Sequence, residues 1–232
     1  KIKPVNKVIG PGNQFVSAAK KEVSGDIGIE AMTAGPSEVL IVADKSSNPE
    51  WLASDLLGQA EHDQLAQCIL ISKDKNILEK TKKEVFEQLK NLPRSSIAKK
   101  SLMMNGILIY ANSDKKIIEI TNKIGPEHLE LNVKNYKSFV AKIKNAGSVC
   151  LGKYAVMAMT DYGAPGSNHV LPTNMTSKYS SGLNVSEFMK KISYITLSKK
   201  GIDKVGPSVI TLANYEGLQG HAQSIVKRIR RK

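Results

Sequence analysis

Apolar and polar positions follow two alternating patterns from residue 38 onward. Short, nearly continuous apolar runs predict buried β-strands at 38–43, 67–72, 106–110 and 148–151. Longer segments with apolar residues three and four positions apart predict α-helices at 14–23, 49–62, 75–89, 114–124 and 136–146. Strands that alternate with helices in this way indicate a doubly wound, largely parallel sheet, so the predicted fold class is α/β.

The residues before 38 and those after Gly152 depart from this alternation of strands and helices. Gly10-Pro11-Gly12-Asn13 predicts a tight turn and an Asn cap before the helix at 14–23. That helix start either holds a phosphate or polar ligand, or is an ordinary capped terminus. Past Gly152 the periodicity fails, and the Gly-rich stretches at 162–169 and 178–182 predict a long connection of the kind that often carries function.

The formal net charge of +13 raises the question of nucleic-acid binding. All but four of the 34 basic residues are lysines spread along amphipathic segments, and only 5% of the chain is aromatic. Clustered arginines and stacking platforms are therefore missing outside the tail at 227–232. We expect no nucleic-acid partner, and binding through that tail is the alternative. No apolar run reaches membrane-spanning length, so no membrane partner is expected.

Two cysteines, Cys68 and Cys150, lie inside apolar runs. Buried thiols of this kind suit a reducing compartment better than a disulfide, so the predicted location is cytoplasmic. The chain begins at Lys1 without an initiator methionine, and its first residues resemble the middle of a longer sequence. We therefore expect a fragment.

Four histidines, His62, His128, His169 and His221, all lie beside polar residues at element ends or in loops. That placement favours a site over structural roles. On the helix at 49–62, Gln59 and His62 lie one turn apart on the polar stripe that begins at Asp55. Such a pair can share a divalent metal, or it can simply form hydrogen bonds at a helix end.

A second candidate pair is Glu127-His128, which follows Gly125-Pro126. Because Pro126 disfavours helix at Gly125, the pair is expected on an ordered exit from the preceding helix. An adjacent carboxylate and imidazole form an acid/base pair, although a surface turn is an equally good interpretation. Asp161 and His221 could supply further ligands to a metal held by Gln59 and His62.

No strand is followed by G-x-G-x-x-G or by a Walker-type loop, so a nucleotide would have to bind in another way, on an incomplete Rossmann-like sheet. Six ordered blocks nevertheless resemble histidinol dehydrogenase, and they cover nearly the whole chain except the basic tail. They are Gly-Pro-Gly-Asn at 10–13, Ala-Gly-Pro-Ser-Glu-Val-Leu at 34–40, Gln-Ala-Glu-His-Asp at 59–63, Pro-Glu-His-Leu-Glu-Leu at 126–131, Asn-His-Val-Leu-Pro-Thr at 168–173 and Glu-Gly-Leu-x-x-His-Ala at 216–222.

The resemblance implies a zinc-dependent, NAD-linked oxidation of L-histidinol to L-histidine through a held aldehyde, the last step of histidine biosynthesis. It implies zinc ligands at Gln59, His62, Asp161 and His221, although manganese or cobalt would suit such donors too. It also implies a proton-transfer pair at Glu127 and His128. Further substrate contacts, beside His128 and the zinc ligands, are implied at Ser37 and Glu216, an NAD contact at Asn13 and a weaker substrate contact at His169.

The resemblance further implies a homodimer whose C-terminal segment reaches the neighbouring site. Residues 1–37 would be the remnant of a cofactor-side domain, 38–182 the sheet domain with the zinc and acid/base residues, and 183–232 the helical exchanged segment. That last segment looks too short to hold a core alone. Members of this family are much longer, so the NAD pocket would be incomplete here, and we expect weak zinc binding and poor turnover.

Two other functions fit the same residues. A truncated relative could keep the sheet domain as a binding module without redox activity. A zinc hydrolase could use the same four ligands with Glu127 as its base, and it would turn over esters or amides without NAD.

Overall fold

The computed structural model describes residues 3–10, 12–30, 35–163 and 168–229. The turn residue Pro11, the loop centre at 164–167 and the end of the basic tail at 230–232 lie outside these ranges. In chain order the elements are β1 Lys7–Val8, α1 Gln14–Glu22, β2 Gly28–Ile29, β3 Glu38–Ala43, α2 Pro49–Ala60, β4 Gln67–Ser72, α3 Lys75–Leu89, α4 Ser95–Asn105, β5 Gly106–Tyr110, α5 Asp114–Ile124, β6 His128–Asn132, α6 Lys137–Val140, β7 Ser148–Leu151, α7 Met157–Tyr162, α8 Lys199–Tyr215 and α9 Gln219–Ile229. They divide into two compact units, Lys1–Phe188 and Met189–Lys232.

The first unit is built on a five-stranded sheet in the order β5-β4-β3-β6-β7, and every neighbouring pair is parallel. The chain moves outward from β3 through β4 to β5, then returns to place β6 and β7 on the other side of β3. Parallel neighbours require crossover connections, and helices supply most of them. The predicted α/β class with a parallel sheet is confirmed.

Strand β3 lies at the centre of the sheet and is buried along its whole length. Its odd-numbered positions, with Ile41 as an example, pack in one apolar cluster with α2, α3 and α4. Its even-numbered apolar positions, Leu40 and Val42, pack in a second cluster with α5 and α6. Burial on both faces explains why this strand reads as a continuous apolar run.

Helix caps fix where the main helices begin. Asn48 accepts a hydrogen bond from the backbone N–H of Glu50 at the start of α2, and Asp74 caps α3 in the same way. At α5 the cap is Ser113, which bonds the N–H of Lys116. These caps satisfy N–H groups that a helix leaves free at its first turn.

The helix predicted at 136–146 is wrong beyond its first turn, because the structure has only α6 there. The side chain of Asn122 on α5 explains the difference. Its Oδ1 accepts from the N–H groups of Lys144 and Asn145, and its Nδ2 donates to the carbonyl of Lys142. These backbone groups therefore find partners without a helix.

Five of these elements were not predicted from the sequence: β1, β2, β6, α4 and α7. Cys68 and Cys150 are buried free thiols, as predicted, and burial raises the pKa of each to about 12. Within the described ranges every helix is too short or too polar to cross a membrane.

The second unit contains α8 and α9, which pack against each other. A Cβ at Gly206 would lie 2.8 Å from Cγ2 of Ile225, so the glycine permits the close approach of the two helices. The buried residues of these two helices are small: Gly206, Ala213 and Ala222.

Candidate functional site

A cavity of about 170 Å³ opens beside the residues that precede β3 and begin β6. It brings together residues that are far apart in the chain. The sequence-predicted residues in its lining are Ser37, Gln59, His62, Glu127, His128, Asp161 and His169. Parallel strands make this possible, because neighbouring strands start at the same edge of the sheet.

Helix α2 delivers Gln59 to this cavity from its last turn. The five apolar residues predicted to face the core are all buried, namely Leu52, Ala53, Leu56, Leu57 and Ala60. Gln59 is itself only 1% exposed, and its Oε1 and Nε2 atoms have no hydrogen-bond partner among the described residues. His62 follows in an exposed turn, where its N–H donates to the carbonyl of Gln59. An unsatisfied buried amide is costly, so it indicates a ligand.

Glu127 precedes β6 and is 7% exposed. Its Oε2 accepts from the N–H of Glu38 at 3.0 Å. Burial raises the pKa of the Glu127 carboxyl to about 8, and the charges of Glu38 and Asp161 act in the same direction. A carboxyl group of this kind can exchange a proton near neutral pH.

His128, the first residue of β6, is buried beside two carboxylates. Its Nε2 lies 3.8 Å from Glu127 Oε1 and 3.9 Å from Asp161 Oδ1, beyond hydrogen-bond distance. Burial lowers the pKa of His128 to about 4, although the charge of Asp161 opposes that shift. The imidazole is therefore neutral at pH 7 and can accept a proton.

Asp161 lies in the last turn of α7, directly before the predicted Gly-rich stretch. The carboxylate of Glu130 accepts the N–H of Met157 at 2.7 Å and so satisfies the first residue of this short helix. The side chain of Asp161 is 5% exposed, and its Oδ1 lies 3.5 Å from Nδ1 of His169. The carboxylate thus lies between the imidazoles of His128 and His169.

The lining that the described residues form does not include three of the predicted residues. Asn13 caps α1 with its Oδ1, which accepts from the N–H groups of Phe15 and Val16. The neighbouring Gly10 and Gly12 line the cavity. Glu216 follows α8 and His221 lies in α9, both in the second compact unit. The roles implied for Asn13, Glu216 and His221 stay predictions.

In the described part of the chain, no group of three or more His, Cys, Asp and Glu side chains could hold a metal ion. Gln59 falls outside that set of residue types. An amide oxygen, an imidazole and a carboxylate from Gln59, His62 and Asp161 nevertheless line one cavity. This donor set, together with the unpartnered amide of Gln59, is chemically suited to zinc.

Sequence reasoning missed two glutamates near this site. Glu38 begins β3 beside Glu127, and Glu130 lies on β6 with 1% exposure. Burial raises the pKa of Glu130 to about 8, and the charge of Asp55 adds to that rise. Burial also raises the pKa of Asp55 to about 6, whereas its hydrogen bond with Glu130 acts in the opposite direction. A signal was present in both cases, because Glu38 directly precedes a continuous apolar run and Glu130 lies between two leucines.

Comparison with known proteins identifies the family. A family model described as histidinol dehydrogenase matches residues 1–229. The histidinol dehydrogenase of Pelagibacter ubique is 73% identical over 232 residues, which are 100% of this chain and 54% of that protein. The histidinol dehydrogenase of Zymomonas mobilis is 44% identical over 229 residues, which cover 99% of this chain and 53% of that one.

Solved structures agree with these sequence matches. The crystal structure of histidinol dehydrogenase from Elizabethkingia anophelis superposes with a TM-score of 0.92 at 42% identity, covering 98% of this chain and 52% of that chain. Gamma-glutamyl phosphate reductase from Thermotoga maritima, at 14% identity and a TM-score of 0.51, shares the fold alone. This chain spans about half the length of the relatives it matches. It belongs to the histidinol dehydrogenase family.

Proposed function

We propose that this chain carries the proton-transfer residues and most of the zinc ligands of an enzyme that oxidises L-histidinol to L-histidine through L-histidinaldehyde. One observation supports this above all: a neutral imidazole, a carboxyl group of raised pKa and an unpartnered amide line one cavity. Membership of the family adds the substrate class. The reaction removes two hydrides from one carbon, and NAD, when bound, supplies the acceptor for both.

His128 serves the first oxidation. As hydride leaves the alcohol carbon, the hydroxyl proton must move to a base. The neutral imidazole of His128 can accept it because its pKa is lowered to about 4 by burial. The carboxylate of Asp161, 3.9 Å from Nε2, stabilises the positive charge that this transfer creates.

Glu127 serves the second oxidation. Water adds to the aldehyde carbonyl to form a hydrate, and Glu127 takes the proton that this water gives up. The pKa of about 8 is close to neutral pH, which suits a group that must both take and release a proton. The hydrate carbon then gives up the second hydride to yield the carboxylic acid.

Gln59, His62 and Asp161, with His221 as a fourth ligand, would hold zinc. Zinc, when bound, supplies a fixed positive charge that orients the imidazole and amine of the substrate. Ser37, His169 and Glu216 would contact the substrate, and Asn13 would contact NAD. We also propose a homodimer in which the C-terminal segment completes the neighbouring site, and a cytoplasmic location, which suits the buried free thiols.

A chimera provides the test, because this chain aligns along its full length with about half of the Pelagibacter ubique relative. In the chimera, this chain replaces the matching part of that full-length protein. We expect two NADH per histidinol consumed and one zinc per site. Gln59→Ala and His62→Ala should each lower both activity and zinc content.

The isolated 232-residue chain is the matched comparison, and we expect it to produce little NADH. Unchanged rates and zinc content in both chimera variants would remove the role assigned to the end of α2. Turnover of esters or amides without NAD would favour a zinc hydrolase instead.

A further inference from the structure

Two glutamates stand opposite each other where the central strands β3 and β6 begin. The parallel ladder pairs Val39 with His128, which places Glu38 beside Glu127. Both side chains are buried, at 8% and 7% exposure. Two adjacent buried carboxyl groups need compensating hydrogen bonds, because each would otherwise lose its hydration without replacement.

The compensation is reciprocal. The N–H of Glu38 donates to Oε2 of Glu127 at 3.0 Å, and the N–H of Glu127 donates to Oε2 of Glu38 at 3.3 Å. Each side chain thus holds the backbone of the other strand. We name this pair of bonds the glutamate clasp.

The clasp determines which oxygen of Glu127 remains available. Oε2 is committed to the N–H of Glu38, whereas Oε1 is the atom that faces Nε2 of His128 at 3.8 Å. The bond from the N–H of Glu38 restrains rotation of this carboxyl group, and the bond from the N–H of Glu127 to Glu38 keeps the two strand starts in the register that this contact needs.

Glu38 also holds a second part of the cavity wall. Its other oxygen, Oε1, accepts from the N–H of Asn174 at 3.0 Å. Asn174 and Met175 both adopt the left-handed conformation, with φ of 58° and 64°, which is uncommon for non-glycine residues and unfavourable for methionine in particular. The preceding Thr173 lines the cavity.

We propose that Glu38 is a positioning residue for the second oxidation, whose carboxylate holds the backbone N–H groups of Glu127 and Asn174 in one geometry and so positions the Glu127 side chain through its main chain. This inference rests on the role proposed above for Glu127. Glu38 does not line the cavity within the described residues, so it acts through Glu127 and not on the substrate.

The test separates the two oxidation steps in the chimera. The first step is followed as the first of the two NADH formed from each histidinol in a single turnover, and the second as the NADH formed from supplied histidinaldehyde. In Glu38→Ala both accepting oxygens are lost, so the N–H groups of Glu127 and Asn174 lose their partners, while the backbone N–H of residue 38 can still bond Oε2 of Glu127. We expect aldehyde oxidation to slow roughly 10- to 100-fold, the scale of a misplaced catalytic group, while the first hydride transfer stays within about threefold.

Glu38→Gln is the second variant, and it decides the matter if Glu38→Ala fails to fold. Its side chain offers one acceptor oxygen where Glu38 offers two, so one of the two N–H groups loses its partner. We expect the same selective loss at smaller size, with free aldehyde released from the active site.

Ser101→Ala is the matched structural control, because it removes a buried hydrogen bond to the carbonyl of Ala66 outside the cavity lining. It should lower the melting temperature and leave the ratio of the two rates unchanged. Equal slowing of both steps in the Glu38 variants, or no slowing of either, overturns the positioning role. A parent chimera that forms no NADH from histidinol instead overturns the proposed function.

Discussion

The two edges of the central sheet treat their polar groups differently. At the edge where β3 and β6 begin, Gln59 and Nδ1 of His128 are buried without hydrogen-bond partners among the described residues. At the opposite edge a larger cavity of about 440 Å³ is lined by Asp44, Lys73, Asp114 and Lys134. There both carboxylates have partners: Lys73 lies 2.5 Å from Asp114, and Asp44 accepts from the backbone N–H of Lys134.

Ligands of open α/β sheets usually bind at the carboxyl ends of the strands, so cavity size and topology alone would favour the second edge. The unpartnered polar groups favour the first edge, where β3 and β6 begin, as the binding site. Partial burial tends to raise the pKa of Asp44, but hydrogen bonds from Ser46 and Lys134 outweigh it and hold that pKa below its usual value. Satisfied groups are typical of structure, and unsatisfied ones of a binding site.

The largest difference between the edges should appear in catalysis. His128→Asn in the chimera removes the base of the first oxidation, because an amide cannot take up the proton. We expect kcat for NADH formation from histidinol to fall roughly 10²- to 10⁴-fold, as for other positioned bases.

Lys73→Ala is the control at the opposite edge. It breaks an exposed ion pair, so kcat should stay within about twofold of the parent. A similar loss in both variants, or near-normal kcat in His128→Asn, would erase the functional contrast between the edges.

Stability should change in opposite directions at the two edges. Gln59→Leu replaces an unpartnered buried amide with an apolar group of similar size. Its free energy of unfolding, measured by urea titration with a chelator present, should rise by about 1–2 kcal/mol, while zinc binding is lost.

Ser47→Ala provides the opposite case. The Ser47 hydroxyl donates to the carbonyl of Asn132 and accepts from the N–H of Asp44, so its loss should lower the free energy of unfolding by about 1–2 kcal/mol. A destabilised Gln59→Leu variant would show that the amide has a structural partner after all.

The pH dependence of stability should also have opposite signs. Burial, and the neighbouring charge of Asp55, raise the pKa of Glu130 from 4.5 to about 8. The folded chain therefore binds more protons than the unfolded chain in that window, and its stability falls as the pH rises through it. Glu130→Gln keeps an acceptor for Met157 and should flatten this fall by about 1–2 kcal/mol.

Asp44→Asn should change the pH dependence of the free energy of unfolding at acidic pH. Because the folded pKa of Asp44 is lowered, its contribution is present above the unfolded value of 3.8 and is lost as the pH falls through the folded value. Urea titrations at a series of pH values measure both slopes. If Glu130→Gln has the parent's slope between pH 4.5 and 8, the carboxyl pair does not hold a proton in the folded chain.

The smallest effect is expected in the segment at 173–175. Met175 has a φ of 64°, so Met175→Gly relieves a left-handed conformation while it adds freedom to the unfolded chain. The free energy of unfolding should rise by about 0.5–1 kcal/mol in thermal or urea unfolding. A decrease would mean that the half-exposed side chain contributes more through packing than its conformation costs.

The sequence predicts most of the sheet because apolar runs mark the strands and capping residues mark where the intervening helices begin. Strands β3, β4, β5 and β7 and helices α3 and α5 lie where the pattern places them. Strand β6 escaped prediction because charged and apolar residues alternate in it. Leu129 and Leu131 join one apolar cluster, but the burial of Glu130 depends on Asp55 from α2, a contact that one sequence does not show.

The candidate site is predictable to a similar degree. Residue types and spacing pick out Gln59, His62, Glu127 and His128, because amide, imidazole and carboxyl groups cluster at element ends. Their convergence, however, depends on strand order, which sets β6 beside β3 and far from β5. The clasp between Glu38 and Glu127 depends on strand register as well, and register follows from the packed sheet.

The position of the proton-transfer pair beside the two inner strands has a consequence for dynamics. Amides of β3 and β6 should exchange with deuterium only through the rarest, near-global openings, since these strands are buried on both faces. The amides of the surface turn that carries His62 should exchange by frequent local fraying. The turn at the entrance of the pocket can therefore open repeatedly while the side chains of Glu127 and His128 stay in position.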